Sequence, residues 1–209
     1  MSKEENVIKY YVLCNKLKDV VRTGWKEWQV KRERLESVAE HIYGVQMLAI
    51  VMKSEFEYDI DLEKVLFMLA VHELEEIIIG DLTLFDISKE EKEKLGHEAI
   101  EKVLDGLMDK EKIKSLIIEF DERKTKEADF AYHCDKLECD IQAKLYDEEG
   151  CVDLNNQQKN SRFNTQEVQK IIKSEKAWSE SWLDFGQKRY NYDENFTKVS
   201  NYAKNNKIK

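Results

Sequence analysis

Apolar residues return at helical spacing along most of this chain. From about Glu5 to Val21, the positions Ile8, Tyr11, Val12, Leu13, Leu17 and Val20 recur on one side of a predicted helix. Thr23-Gly24 predicts a turn. The polar, aromatic stretch Trp25 to Leu35 lacks a clean period and predicts a loop. Ser37 and Glu40 then form a capping box, in which each side chain satisfies an exposed backbone N–H of a first helical turn. The helix they open carries His41, Val45, Leu48 and Met52 to about Glu55. Asp61 caps the next helix, whose centre VLFMLAVH is apolar on all sides, the pattern of a helix buried within a bundle. It is expected to end near Gly80, since glycine tolerates the left-handed geometry that closes helices.

A second capping box, Ser88 with Glu91, opens a helix to about Leu107. Another is predicted from about Asp109 to Phe120, and a long one from near Thr125 to about Asp147. Residues 150–164 are rich in Asn, Gln and Lys and predict a mobile surface loop. One or two final helices cover about Thr165 to Tyr202, with Trp178, Trp182, Phe185 and Tyr190 at helical offsets. That stripe suits core packing or a homodimer better than a cofactor. The tail NNKIK is expected to fray. No repeat and no strand is predicted. The fold class expected is all-α, a helical bundle over residues 1–150, with residues 151–209 as a polar loop and a C-terminal helical extension packed on it.

Composition agrees, because proline is absent and only 7 glycines interrupt 209 residues. The formal net charge of -9 argues against nucleic-acid polymers and anionic membranes as partners. A small anionic substrate stays open, because a metal ion can reverse the local field. The start, MSKEENVIKYY, lacks the apolar core of a signal peptide, and no apolar run has the length of a membrane span. Cys14, Cys134, Cys139 and Cys151 show no CxxC spacing. The expectation is a cytoplasmic protein with reduced thiols.

The candidate chemistry lies in four histidines, His41, His72, His97 and His133. His72 ends the apolar helix and is followed by Glu73, with Glu76 one turn on and Asp81 just past Gly80. Buried carboxylates without partners are destabilising, and a divalent cation would stabilise them. Alternatively the helix emerges into water and the glutamates are solvated. His41, on the apolar side of the preceding helix, is on its own more often a hydrogen-bonded core residue. Together with His72 and the neighbouring carboxylates it suggests a mixed nitrogen and oxygen site, suited to Mn, Fe, Co, Ni or Zn. Asp135, inside HCDKLECD of the long helix, is the candidate further carboxylate, because aspartate is a poor interior helix residue. An ion pair with Lys136 is the other explanation. His97 and His133 are read as structural, His97 at the surface.

Taken in order, ESVAEH, HELEE-IIIGDLT and DKLE resemble the HD superfamily of metal-dependent phosphohydrolases, with the 5′-deoxynucleotidases as the most similar branch. RTGW, Arg22 to Trp25, is similar to the segment before the first ligand there. The resemblance covers about Leu13 to Asp147. It implies one divalent metal ion held by His41, His72, Glu73 and Asp135, with Mg added to the metals above. It implies Glu76 as the catalytic residue that orients or deprotonates water. It implies Arg22 as the phosphate-binding residue, Trp25 as a substrate-packing tryptophan and Asp81 as the acid that contacts the sugar. The pair here is His-Glu where the family has His-Asp, so the carboxylate carries one more methylene.

The activity implied is release of phosphate from (deoxy)nucleoside 5′-monophosphates. The alternatives are hydrolysis of a triphosphate, cyclic nucleotide or alarmone on the same scaffold, or a non-catalytic binding or oligomerisation module.

Overall fold

The computed structural model describes residues 2–83, 87–174 and 176–209, and among them every regular element is helical. In chain order these are α1 (Lys3–Cys14), a 3₁₀ turn (Asn15–Lys18), α2 (Thr23–Glu27), α3 (Val38–Glu55), α4 (Leu62–Val71) and α5 (Glu76–Ile79). There follow α6 (Lys89–Val103), α7 (Lys110–Glu122), α8 (Lys126–Glu148), α9 (Gln166–Ile172), α10 (Trp178–Arg189) and α11 (Glu194–Asn205). The all-α expectation is met. An isolated bridge between Val21 and Ser37 is the sole β-type pairing of the described residues.

Both capping boxes form as the sequence predicts. Ser37 Oγ accepts from the Glu40 N–H at 3.3 Å while the Ser37 N–H donates to the Glu40 carboxylate at 3.0 Å. Ser88 and Glu91 repeat the arrangement. Asp61 caps α4 through the Lys64 N–H.

Several boundaries differ from the expected ones. The first helix stops at Cys14, where Asn15 caps it: its N–H donates to the Leu13 and Tyr11 carbonyls and its side-chain amide also donates to Tyr11. Leu17 is buried, but Ile8, Tyr11 and Val12 of α1 are exposed, so that periodic face is not core. The expected turn at Thr23-Gly24 and the start of the expected loop are the short helix α2, whose first N–H, at Thr23, donates to Asp81 58 residues away. The apolar helix does not run to Gly80. It gives way after Val71 to turns that close three residues back, such as Leu74 to Val71. There His72 Nδ1 donates to the Leu69 carbonyl, the acceptor that the Glu73 N–H would use in a continued helix. His72 and Glu76 therefore do not share a face of one helix. The helix opened by Ser88 ends at Val103, short of Leu107.

The chain divides into two compact units, Met1–Thr23 with Glu36–Tyr132, and Gly24–Leu35 with His133–Lys209. In the first, α4 packs against α3 and α7. Its core includes Val45, Met68, Leu69 and Phe120. The second is built on aromatic packing of Trp25, Tyr146 and Trp178, with Trp28 and Trp182 against them. Trp178 and Trp182 of the predicted stripe are thus core packing of this unit, whereas Phe185 is exposed. Residues 150–164 are anchored rather than loose: Gln157 is buried and its amide donates to the carbonyls of Trp28 and Asp153. Three final helices stand where one or two were expected. The tail is tied at its end by Ile208 and Lys209 N–H groups on the Glu148 carboxylate. Among the described residues no helix is long and apolar enough to cross a membrane.

Candidate metal centre

Three side chains meet in the first unit. His41 stands in the opening turns of α3 and is fully buried; His72 caps the C-terminus of α4, and Glu73 follows it in the turn. His41 Nε2 lies 4.0 Å from Glu73 Oε1, and His72 Nε2 lies 3.6 Å from the same oxygen. Each of the three residues offers a ligand atom within 4.8 Å of the others. The longer glutamate side chain therefore reaches both imidazoles. The tautomer of His72 is set by its neighbour: Nδ1 donates to the Leu69 carbonyl at 2.7 Å, so in the neutral ring Nε2 carries the lone pair. A lone pair facing a carboxylate oxygen in a buried setting is repulsive, and a shared cation would reverse it. Phe120 lies against the His72 ring at 5.0 Å between centroids and shields this side from water.

A second constellation adjoins Glu73. Arg22 Nη1 is 3.8 Å from Glu73 Oε1 and 3.4 Å from Asp81 Oδ1. Asp81 accepts the Thr23 N–H at 2.6 Å, and the Thr23 hydroxyl donates to the Asp81 carbonyl at 2.6 Å. Asp81 thus fixes the Arg22-Thr23 corner at the N-terminus of α2. Arg22 is held by two carboxylates, which orients its planar guanidinium.

Glu76 begins α5 and its side chain is fully shielded. Burial holds its carboxyl well above the usual carboxylate range; Glu73 and Asp81 push the same way, and Arg22 and Lys92 oppose them. Its Oε1 is 3.5 Å from Lys92 Nζ, and its Oε2 is buried with no hydrogen-bond partner. Glu75 is likewise buried and pushed up to about 8, by burial first and then by Glu73. It faces a different direction, with Gly96 of α6 against its side chain and Asp121 among its charged neighbours. Lys92 was not singled out in the sequence, where nothing separates it from the rest of the 34 Lys and Arg residues except its place one turn inside a capping box.

The sequence matches the family described as HD domain over residues 14–178. The chain belongs to the HD-domain family. It is 36% identical to 5′-deoxynucleotidase HDDC2 of Dictyostelium discoideum, over 69% of this chain and 79% of that protein. It is 30% identical to 5′-deoxynucleotidase hdd1 of Schizosaccharomyces pombe, over 70% and 75%. Among solved structures, a conserved hypothetical protein from Pyrococcus furiosus is 29% identical with a TM-score of 0.61, covering 79% of this chain and 96% of that one. The PH0347 protein from Pyrococcus horikoshii OT3 shares the fold with a TM-score of 0.66 at 24% identity, covering 94% and 98%.

Asp135 is buried on α8, in the part assigned to the second unit, and pairs with Lys136 at 2.7 Å, the ion pair considered from sequence. Trp25 belongs to the second unit's core, edge-on to Tyr146 at 5.3 Å. His97 is partly exposed on α6, 3.2 Å from Asp121 Oδ2. His133 faces the Tyr190 carbonyl at 3.0 Å and packs against Tyr192 and Phe196, as expected of a structural histidine.

Proposed function

We propose that this HD-domain enzyme releases phosphate from nucleoside and 2′-deoxynucleoside 5′-monophosphates at a divalent cation held by His41, His72, Glu73 and Asp135. The observation that carries the reading is the single Glu73 oxygen set 4.0 Å and 3.6 Å from two imidazole Nε2 atoms, one of them committed to its lone-pair form by Leu69. The names of the relatives, 5′-deoxynucleotidases from an amoeba and a yeast, support the substrate class. Two imidazoles with two carboxylates suit Mn, Co, Fe, Ni or Zn, with Mg accommodated through the carboxylates.

When bound, the cation supplies Lewis-acid polarisation of a phosphoryl oxygen and acidifies a water. Arg22, held in orientation by Asp81 and Glu73, receives the phosphate through paired N–H donors. Glu76 takes the proton from the attacking water through its carboxylate. Asp81 accepts a hydrogen bond from a sugar hydroxyl. The same reading makes the enzyme cytoplasmic and its thiols reduced, in line with four free cysteines. A homodimer would cover the exposed Val7, Ile8, Tyr11 and Val12 of α1.

The test is phosphate release with Mn, Co and Mg over all 5′-monophosphates, with triphosphates and a cyclic nucleotide alongside. Metal-dependent release from monophosphates, abolished by Glu76→Gln with metal retained, is the expected result. Turnover confined to the other nucleotides would reject the substrate class. No metal and no turnover would reject the enzyme reading.

A further inference from the structure

The first turn of α6 is fixed by its capping box, and Lys92 and Gly96 follow at i and i+4 on one face. That face lies on the turn between α4 and α5. A methyl group at Gly96 would stand 3.4 Å from Glu75 Cγ, an ordinary van der Waals distance, so this face of α6 lies against the Glu75 side chain. One turn earlier, Lys92 Nζ sits 3.5 Å from Glu76 Oε1, while Glu76 Oε2 has no hydrogen-bond partner in a fully shielded side chain. Lys92 is thus the cation that meets the carboxylate of Glu76 at the start of α5.

We propose that Lys92 is a positioning residue: its ammonium holds Oε1 of Glu76 and thereby reserves Oε2 for the attacking water. This rests on Glu76 as the proton acceptor. Lys92 has no role in holding the metal and its side chain stays only a quarter exposed, so it acts through Glu76 from the solvent side of the site. A compact, strongly hydrated ammonium on a flexible stem suits this task, since it can follow the carboxylate without locking it in a bidentate pair. The burial that raises the Glu76 carboxyl is partly offset by the same ammonium, which is consistent with the contact being retained.

The test is a double-mutant cycle on the 2′-deoxynucleoside 5′-monophosphate turned over fastest by the native enzyme. Lys92→Met is expected to lower kcat roughly 10- to 100-fold, a fraction of the general-base effect, with KM within about 3-fold. Lys92→Arg should recover most of the rate, and metal content should stay native. In a Glu76→Asp background, where the shorter side chain draws the carboxylate back from the ammonium and residual turnover can be read, Lys92→Met should change kcat little further. A Lys92→Met enzyme with native kcat, beside an inactive Glu76→Gln, overturns the positioning role and leaves the base reading intact. Independent, multiplying losses also overturn it. Native turnover in Glu76→Gln removes the base reading, and the role of Lys92 with it.

Discussion

His72 Nδ1 lies 2.7 Å from the carbonyl oxygen of Leu69 in the preceding turn of its own helix. One contact has two consequences. It takes the acceptor that would have continued α4, and it leaves Nε2 as the nitrogen that faces Glu73 at 3.6 Å. Helix termination and ligand orientation are therefore the same event.

Replacing His41 or His72 by alanine is expected to weaken divalent-metal affinity by at least ~100-fold, the upper end of what loss of an outer orienting residue costs. Elemental analysis of the purified variants checks this. Metal content equal to native in His41→Ala would remove it from the ligand set.

Arg22 should act mainly on substrate binding. Arg22→Met is expected to raise KM roughly 10-fold or more, because charge-assisted bidentate contacts to phosphate are lost. Steady-state kinetics read the effect; an unchanged KM would assign Arg22 to holding Asp81 and Glu73 alone.

Gly186 of α10 faces the carboxyl of Asp140 so closely that a methyl group there would overlap Asp140 Oδ2. Gly186→Ala should cost about 1–3 kcal/mol, the usual range for overpacking. Adding Asp140→Ala should recover part of that loss. Urea denaturation of the two variants decides, and additive losses would contradict the proximity.

Asp140 also predicts a pH dependence. Burial lifts its carboxyl well above its ordinary 3.8; the Tyr192 hydroxyl and Lys136 pull it back, and Asp135 pushes it up further. A raised folded value means that the stabilising contribution is present below about 3.8 and is lost as pH rises through the folded value. The Tm of Asp140→Asn relative to native should therefore increase with pH. A difference that stays flat from acid to alkaline pH would contradict it.

The helix caps were legible because they are local. Ser37 with Glu40, Ser88 with Glu91, and Asp61 each act over three residues, and each formed as expected. The end of α4 was not, since Gly80 looks like the natural stop and the deciding contact is a histidine ring turned back on its own helix. Helix α2 was missed because its cap, Asp81, comes from 58 residues away. The exposed face of α1 shows the converse: helical periodicity marks an amphipathic helix without saying what its apolar side meets.

At the site, His41 and His72 were picked out by residue type and order and Glu73 by the family resemblance, and the three converge in the first unit. Lys92 had no distinguishing sequence feature, and its contact with Glu76 comes from the tertiary packing of α6 against α5.

The most direct measurement is anomalous diffraction at the manganese edge from crystals grown with Mn. One peak per chain, bonded to His41 Nε2, His72 Nε2 and the carboxylates of Glu73 and Asp135, is the predicted result. A manganese-free cluster, or a peak bound by other residues with Asp135 turned away to Lys136, would contradict it.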